Sequence, residues 1–99
     1  MEIDDIHDME TLRAQIDALD ARLIGLLAHR HALIARAAQI KERAGLPARI
    51  DARVEEVVAN ARRHAASQGL DPTLIEALWR QLVDAAIAQE DRYLSRERI

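Results

Sequence analysis

The chain has 99 residues, a formal net charge of -3 and no cysteine. That length holds one domain, and so short a chain covers only a modest share of its own surface, which favours association with a second chain. The missing cysteine removes disulfides, thiolate metal sites and cysteine nucleophiles, and the interleaving of basic with acidic residues removes the basic stripe of a nucleic-acid binder.

Ala, Leu, Ile, Arg, Glu and Asp dominate, Trp79 and Tyr93 are the aromatics, and Gly and Pro are few, which is a helical balance. The opening segment from Met1 to Ile6 is acidic and lacks the basic start and apolar core of a signal peptide. No apolar run approaches the roughly 18 residues of a membrane span, so a cytoplasmic protein with no membrane partner is expected.

From Met9 to Ala44, Leu12, Ile16, Leu19, Leu23, Leu26, Leu33, Ala37 and Ile40 recur in steps of four and three, with Arg30 interrupting the series. This predicts one long amphipathic helix, stopped by Gly45 and Pro47. At 1.5 Å per residue it is roughly 54 Å long, more than a globular monomer of this size covers, so it calls for a partner helix. Asp51 is expected to cap a second helix with the stripe Val54, Val57, Val58, Ala61 and Ala65, closed by Gly69. Asp71-Pro72 pairs an N-cap with proline at the first helical position and opens a third helix, with the stripe Ile75, Trp79, Leu82, Ala86 and Tyr93. About 1–8 and 95–99 are expected to fray. The prediction is an all-α single domain of long, short and long helices.

Charged residues then stand where apolar ones belong. Arg30 occupies a seam position between Leu26 and Leu33; a cation buried there must meet an anion, or else snorkel to solvent. Lys41 lies eleven residues on, within roughly 20° of Arg30 and about 16 Å further along the same face. Its plain alternative is a surface lysine complementing the helix dipole. Arg53 opens the second helix across the loop, where it can add a third cation or be simply solvated. Arg13 is about 25 Å before Arg30, so it reaches that groove only from an antiparallel second copy; otherwise it pairs with Asp17 on its own helix. Glu90 flanks the third stripe within about 40°. Desolvation would favour its neutral acid, which can donate a hydrogen bond, whereas nearby cations favour a structural ion pair.

Other chemistry lacks support. His29 and His31 point to different faces, and His7 and His64 have no ligand-like neighbours, so no metal is expected. Ser67 and Ser95 lack a glycine elbow, and no Gly-rich phosphate loop exists.

Leu12-Arg13, Ile16-Asp17-Ala18-Leu19-Asp20, Leu26-Leu27-Ala28-His29-Arg30 and Lys41 before the loop resemble the all-helical chorismate mutase family. The likeness continues through Asp51-Ala52-Arg53-Val54 and Gly69-Leu70-Asp71-Pro72, covering nearly the whole chain. It implies three helices per chain intertwined in a homodimer, without cofactor or metal. Arg13 would reach the neighbour's site, Arg30 would bind a substrate carboxylate in its own chain, Lys41 would contact the ether oxygen, and Arg53 would open the second helix. The departures are Ile50 and Val54 where many members carry acidic residues for the substrate hydroxyl, Ala86 where a serine often sits, and Glu90 where bacterial members commonly have glutamine. A glutamate must be protonated to donate to the ether oxygen.

The activity implied is the pericyclic rearrangement of chorismate to prephenate, by restraint of a dianionic substrate and stabilisation of charge on its ether oxygen. The Arg53-Val54 arrangement is similar to the isochorismate pyruvate lyase branch, and a mutase acting on 4-amino-4-deoxychorismate shares the fold. The non-enzymatic alternative is a helical dimerisation module in which Arg30, Lys41 and Glu90 form a charge network that sets register.

Overall fold

In a computed structural model, residues 2–96 are described, and they form helices and turns with no strand among them. A 3-10 turn at Ile3–Asp5 precedes three α-helices: α1, Met9–Ala44; α2, Asp51–Ser67; and α3, Pro72–Leu94. The all-helical class and the long, short, long order match the periodicity. None of these helices is long and apolar enough to cross a membrane. The chain forms two compact units, Met1–Ala32 and Leu33–Ile99, and α1 runs from one into the other.

In the first unit, Asp8 starts α1 by accepting hydrogen bonds from the Thr11 backbone N–H at 2.7 Å and the Thr11 hydroxyl at 2.9 Å. It thereby satisfies one of the donors that a helix start leaves unpaired. Ile3 and Ile6 share a shallow depression with Leu12, Ile16 and Leu19. Further along the predicted seam, Leu23 is 53% and Leu26 66% exposed.

The second unit contains the core. Gly45 and Gly69 take φ of 70° and 75°, which a side chain would strain. The next residue's N–H then folds back in each case, Leu46 to the Lys41 carbonyl and Leu70 to the Ala65 carbonyl, both at 2.9 Å. Asp71 caps α3 by accepting from the Thr73 N–H at 2.9 Å, with Pro72 in the first turn. The cap expected of Asp51 is corrected. Ile50 is the extended residue before α2, and its carbonyl accepts the Arg53 and Val54 N–H groups. Asp51 is already helical, where its charge favours the positive end of the helix.

α2 and α3 pack as an antiparallel pair around Val54, Val58, Ala61 and Ala65 of α2 and Val83 of α3, all buried. Val57, expected in that stripe, is half-buried. On α3 the predicted stripe is half-buried too, because Val83 and Glu90, seven residues apart on an adjoining face, are the ones that α2 and its surroundings cover. Ion pairs at the edge record the antiparallel register: Arg62 with Glu76 at 2.8 Å, Glu55 with Arg80 at 3.3 Å, and Arg49 with Asp84 at 3.5 Å. Arg80 also meets Glu76 at 2.8 Å. At the ends expected to fray, the 3-10 turn occupies 3–5 and Arg96 holds an ion pair; Met1 and 97–99 lie outside the described residues.

Two predictions follow from this packing. Val58→Ala removes buried methyl groups and leaves a small cavity, so it should lower unfolding free energy by about 1.5–3 kcal/mol in denaturant titration. Glu76 is held below the ordinary carboxylate range, chiefly by its hydrogen bond from Arg80 and then by that from Arg62. A depressed acid stabilises the fold above its unfolded value of about 4.3 and loses that contribution as pH falls through the folded value. Glu76→Gln should therefore be less stable than the parent at neutral pH, with a difference that shrinks in acid. A constant difference from neutral pH to about pH 3 would refute the assignment.

Candidate active site

The second unit brings together two of the five charged residues singled out by the sequence. Lys41, in the last turn of α1, donates from Nζ to Glu90 Oε2 on α3 at 2.7 Å. It also donates to the Ala48 carbonyl, in the loop before α2, at 2.6 Å. Glu90 is 4% exposed and is the buried charged residue among those described.

Each position has a local cause. Lys41 is placed by the turn that Gly45 closes, because the Lys41 carbonyl itself accepts the Leu46 N–H at 2.9 Å. The chain then reverses, and Ala48, buried beneath the loop, presents its carbonyl back to the ammonium. Glu90 shares the inner face of α3 with Val83. An ionised carboxylate away from water needs a strong partner, and a charge-assisted bond to an ammonium supplies one. An ammonium carries three N–H donors. Glu90 and Ala48 take two, which leaves the third without a partner among the described residues.

The remaining three residues lie elsewhere. Arg53 is exposed on the first turn of α2 and pairs with Glu56 of the same helix. Arg13, exposed, and Arg30, half-buried, belong to the first unit, and neither forms an ion pair among the described residues. Two guanidinium groups thus have no hydrogen-bond or ion-pair partner among the described residues. Of the departures, Val54 is buried, while Ile50 and Ala86 are half-buried. No cluster of three or more His, Asp or Glu side chains that could hold a metal ion occurs among the described residues.

The Ala48 carbonyl was not legible beforehand, since a backbone acceptor carries no residue signature. The Asp8 cap had one, an aspartate three residues before a threonine at the helix start.

Comparison with known proteins joins this geometry to a family. Residues 12–91, a span that includes Arg13, Arg30, Lys41, Arg53 and Glu90, match the family described as chorismate mutase type II. The chain belongs to that family. The resemblance carried by Leu12-Arg13, Arg30 and Lys41 is therefore borne out. The chain is 35% identical over 91 residues to a 4-amino-4-deoxychorismate mutase of Streptomyces venezuelae, covering 92% of this chain and 88% of that protein. It is 34% identical over 86 residues to the T-protein of Enterobacter agglomerans, covering 87% of this chain but spanning only 23% of that relative's length. A second 4-amino-4-deoxychorismate mutase, from Streptomyces pristinaespiralis, is 30% identical over 87 residues, covering 88% of this chain and 67% of its own.

Proposed function

We propose that this chorismate mutase family member converts chorismate to prephenate as a cytoplasmic homodimer. The observation that carries the reading is the buried Lys41–Glu90 pair, which fixes an ammonium at 2.7 Å from its counter-ion with one donor unspent, within a chain of this family.

The reaction breaks a carbon–oxygen ether bond while a carbon–carbon bond forms, so negative charge grows on the ether oxygen in the transition state. A donor already in place there stabilises that charge without reorganising at the moment of reaction. The third N–H of Lys41 is that donor. Glu90 holds that ammonium in place through Oε2. On the family's pattern Arg30 holds a substrate carboxylate, Arg13 of a second copy reaches the site, and Arg53 adds a further cation. Their work is to hold a flexible dianion in its reactive shape, which converts binding energy into rate. The exposed Leu19, Leu23 and Leu26 support the dimer, since a second long helix would cover them.

A second reading, 4-amino-4-deoxychorismate mutase, draws support from the Streptomyces relatives, one of which this chain covers for 88% of its length. Val54 and Ala86 fit either substrate, as neither side chain distinguishes a hydroxyl from an amine by hydrogen bonding.

The deciding experiment is turnover of chorismate, isochorismate and the amino analogue by the purified protein, with products identified. Prephenate as the fastest product supports the first reading; preference for the amino analogue replaces it with the second, and salicylate with pyruvate would assign the lyase. Arg30→Ala should then lower kcat/KM by about 100-fold or more with little loss of stability. Mixing inactive Arg13→Ala with inactive Lys41→Met chains should restore about a quarter of the parent activity if one site per mixed dimer is intact and mixing is random.

Glu90→Gln keeps an acceptor for Lys41 on its amide oxygen, whereas Glu90→Ala leaves the ammonium without that partner. Glu90→Gln should therefore retain far more kcat than Glu90→Ala in steady-state kinetics. Equal losses in the two variants would remove from Glu90 the role of holding Lys41.

A further inference from the structure

We propose that Arg96 is a positioning residue for Lys41, acting through Glu42; the inference rests on the reading of Lys41 given above. Arg96 follows the last turn of α3 and donates through both terminal nitrogens to the Glu42 carboxylate, Nη1 to Oε2 at 2.8 Å and Nη2 to Oε1 at 3.3 Å. Nη1 also donates to the Tyr93 carbonyl at 2.6 Å, and the guanidinium carbon lies 3.7 Å from the centroid of the Tyr93 ring. The head group is thereby held by two contacts with Tyr93 besides those it makes to Glu42. A planar fork fixed in this way loses little further freedom when it grips a carboxylate.

Glu42 is the residue next to Lys41, so the last turn of α1 is tied to the third helix twice. Lys41 reaches inward to Glu90, and Glu42 reaches outward to Arg96. The two anchor residues are six positions apart, Glu90 within α3 and Arg96 just past its end. One attachment would let the end of α1 pivot about the Lys41–Glu90 bond; two attachments stop the pivot. Lys41 stands on a four-carbon stem with many rotamers. A shift of about 1 Å in its base would carry the unspent N–H away from the oxygen it has to meet, and displacements of that size cost enzymes up to about 100-fold in rate.

The outer pair is poorly placed to matter for stability alone. Its side chains are 40% and 22% exposed, and exposed ion pairs contribute little to folding. A purely structural pair and a positioning pair therefore predict different results.

The test is steady-state kinetics on the full chain for Arg96→Gln, Glu42→Gln and Arg96→Lys, with thermal unfolding measured alongside. Arg96→Gln and Glu42→Gln should each lower kcat by about tenfold with KM within about twofold, because the interaction acts on the transition state and not on substrate binding. The unfolding midpoint should be nearly unchanged, and Arg96→Lys should recover part of the loss. Parent kcat in Arg96→Gln would overturn the proposal, as would a loss accounted for by unfolded protein or an equal rise in KM. A parent protein that turns over none of the three substrates would remove the reading of Lys41 and this role together. An active parent with an unaffected Arg96→Gln removes this role alone.

Discussion

A single ammonium group organises the second half of this molecule. Lys41 is brought away from bulk water at the end of a long helix, and there its charge must be matched at short range. The match comes from two different segments, a carboxylate on α3 and a carbonyl in the loop, so one side chain holds three parts of the chain in mutual position. A pair that would be costly in isolation is thus held in one geometry by partners on either side.

The surrounding architecture serves that placement with modest means. Glycines in the left-handed region stop α1 and α2 where they must stop, and an aspartate followed by proline starts α3. Between α2 and α3 the fully buried apolar residues are alanine and valine. On the other side of Lys41, the Glu42–Arg96–Tyr93 cluster holds the last turn of α1 from outside.

Much of this was legible in the sequence because it depends on local rules. The bounds of α1 follow from the leucine period and from Gly45, and the start of α3 follows from Asp71-Pro72. Glu90 was recognisable as a charge beside a buried stripe, and Lys41 as a cation facing the groove, although helical phase alone put Glu90 at the edge of that stripe and the structure buries it. Asp51 misled because a good capping residue next to an equally possible boundary does not say which of the two positions is extended. The Ala48 carbonyl and the Arg96 anchor escaped for a different reason. The first is backbone and has no side-chain identity, and the second lies in a tail where nothing local marks an arginine that reaches a glutamate 54 residues earlier.

The alanine and valine interface between α2 and α3 has one more consequence. A surface of small, similar side chains is nearly smooth, and a smooth surface does not by itself distinguish one axial offset of the helices from another a turn away. That information is carried by the polar rungs along the edge, Arg62–Glu76, Glu55–Arg80 and Arg49–Asp84, which all meet only at one offset. Adhesion and alignment are thus assigned to different residues in this helical hairpin. Mutational drift within the apolar strip would be felt as a loss of grip, and drift among the rungs as sliding, which would carry Glu90 along the axis and away from its lysine.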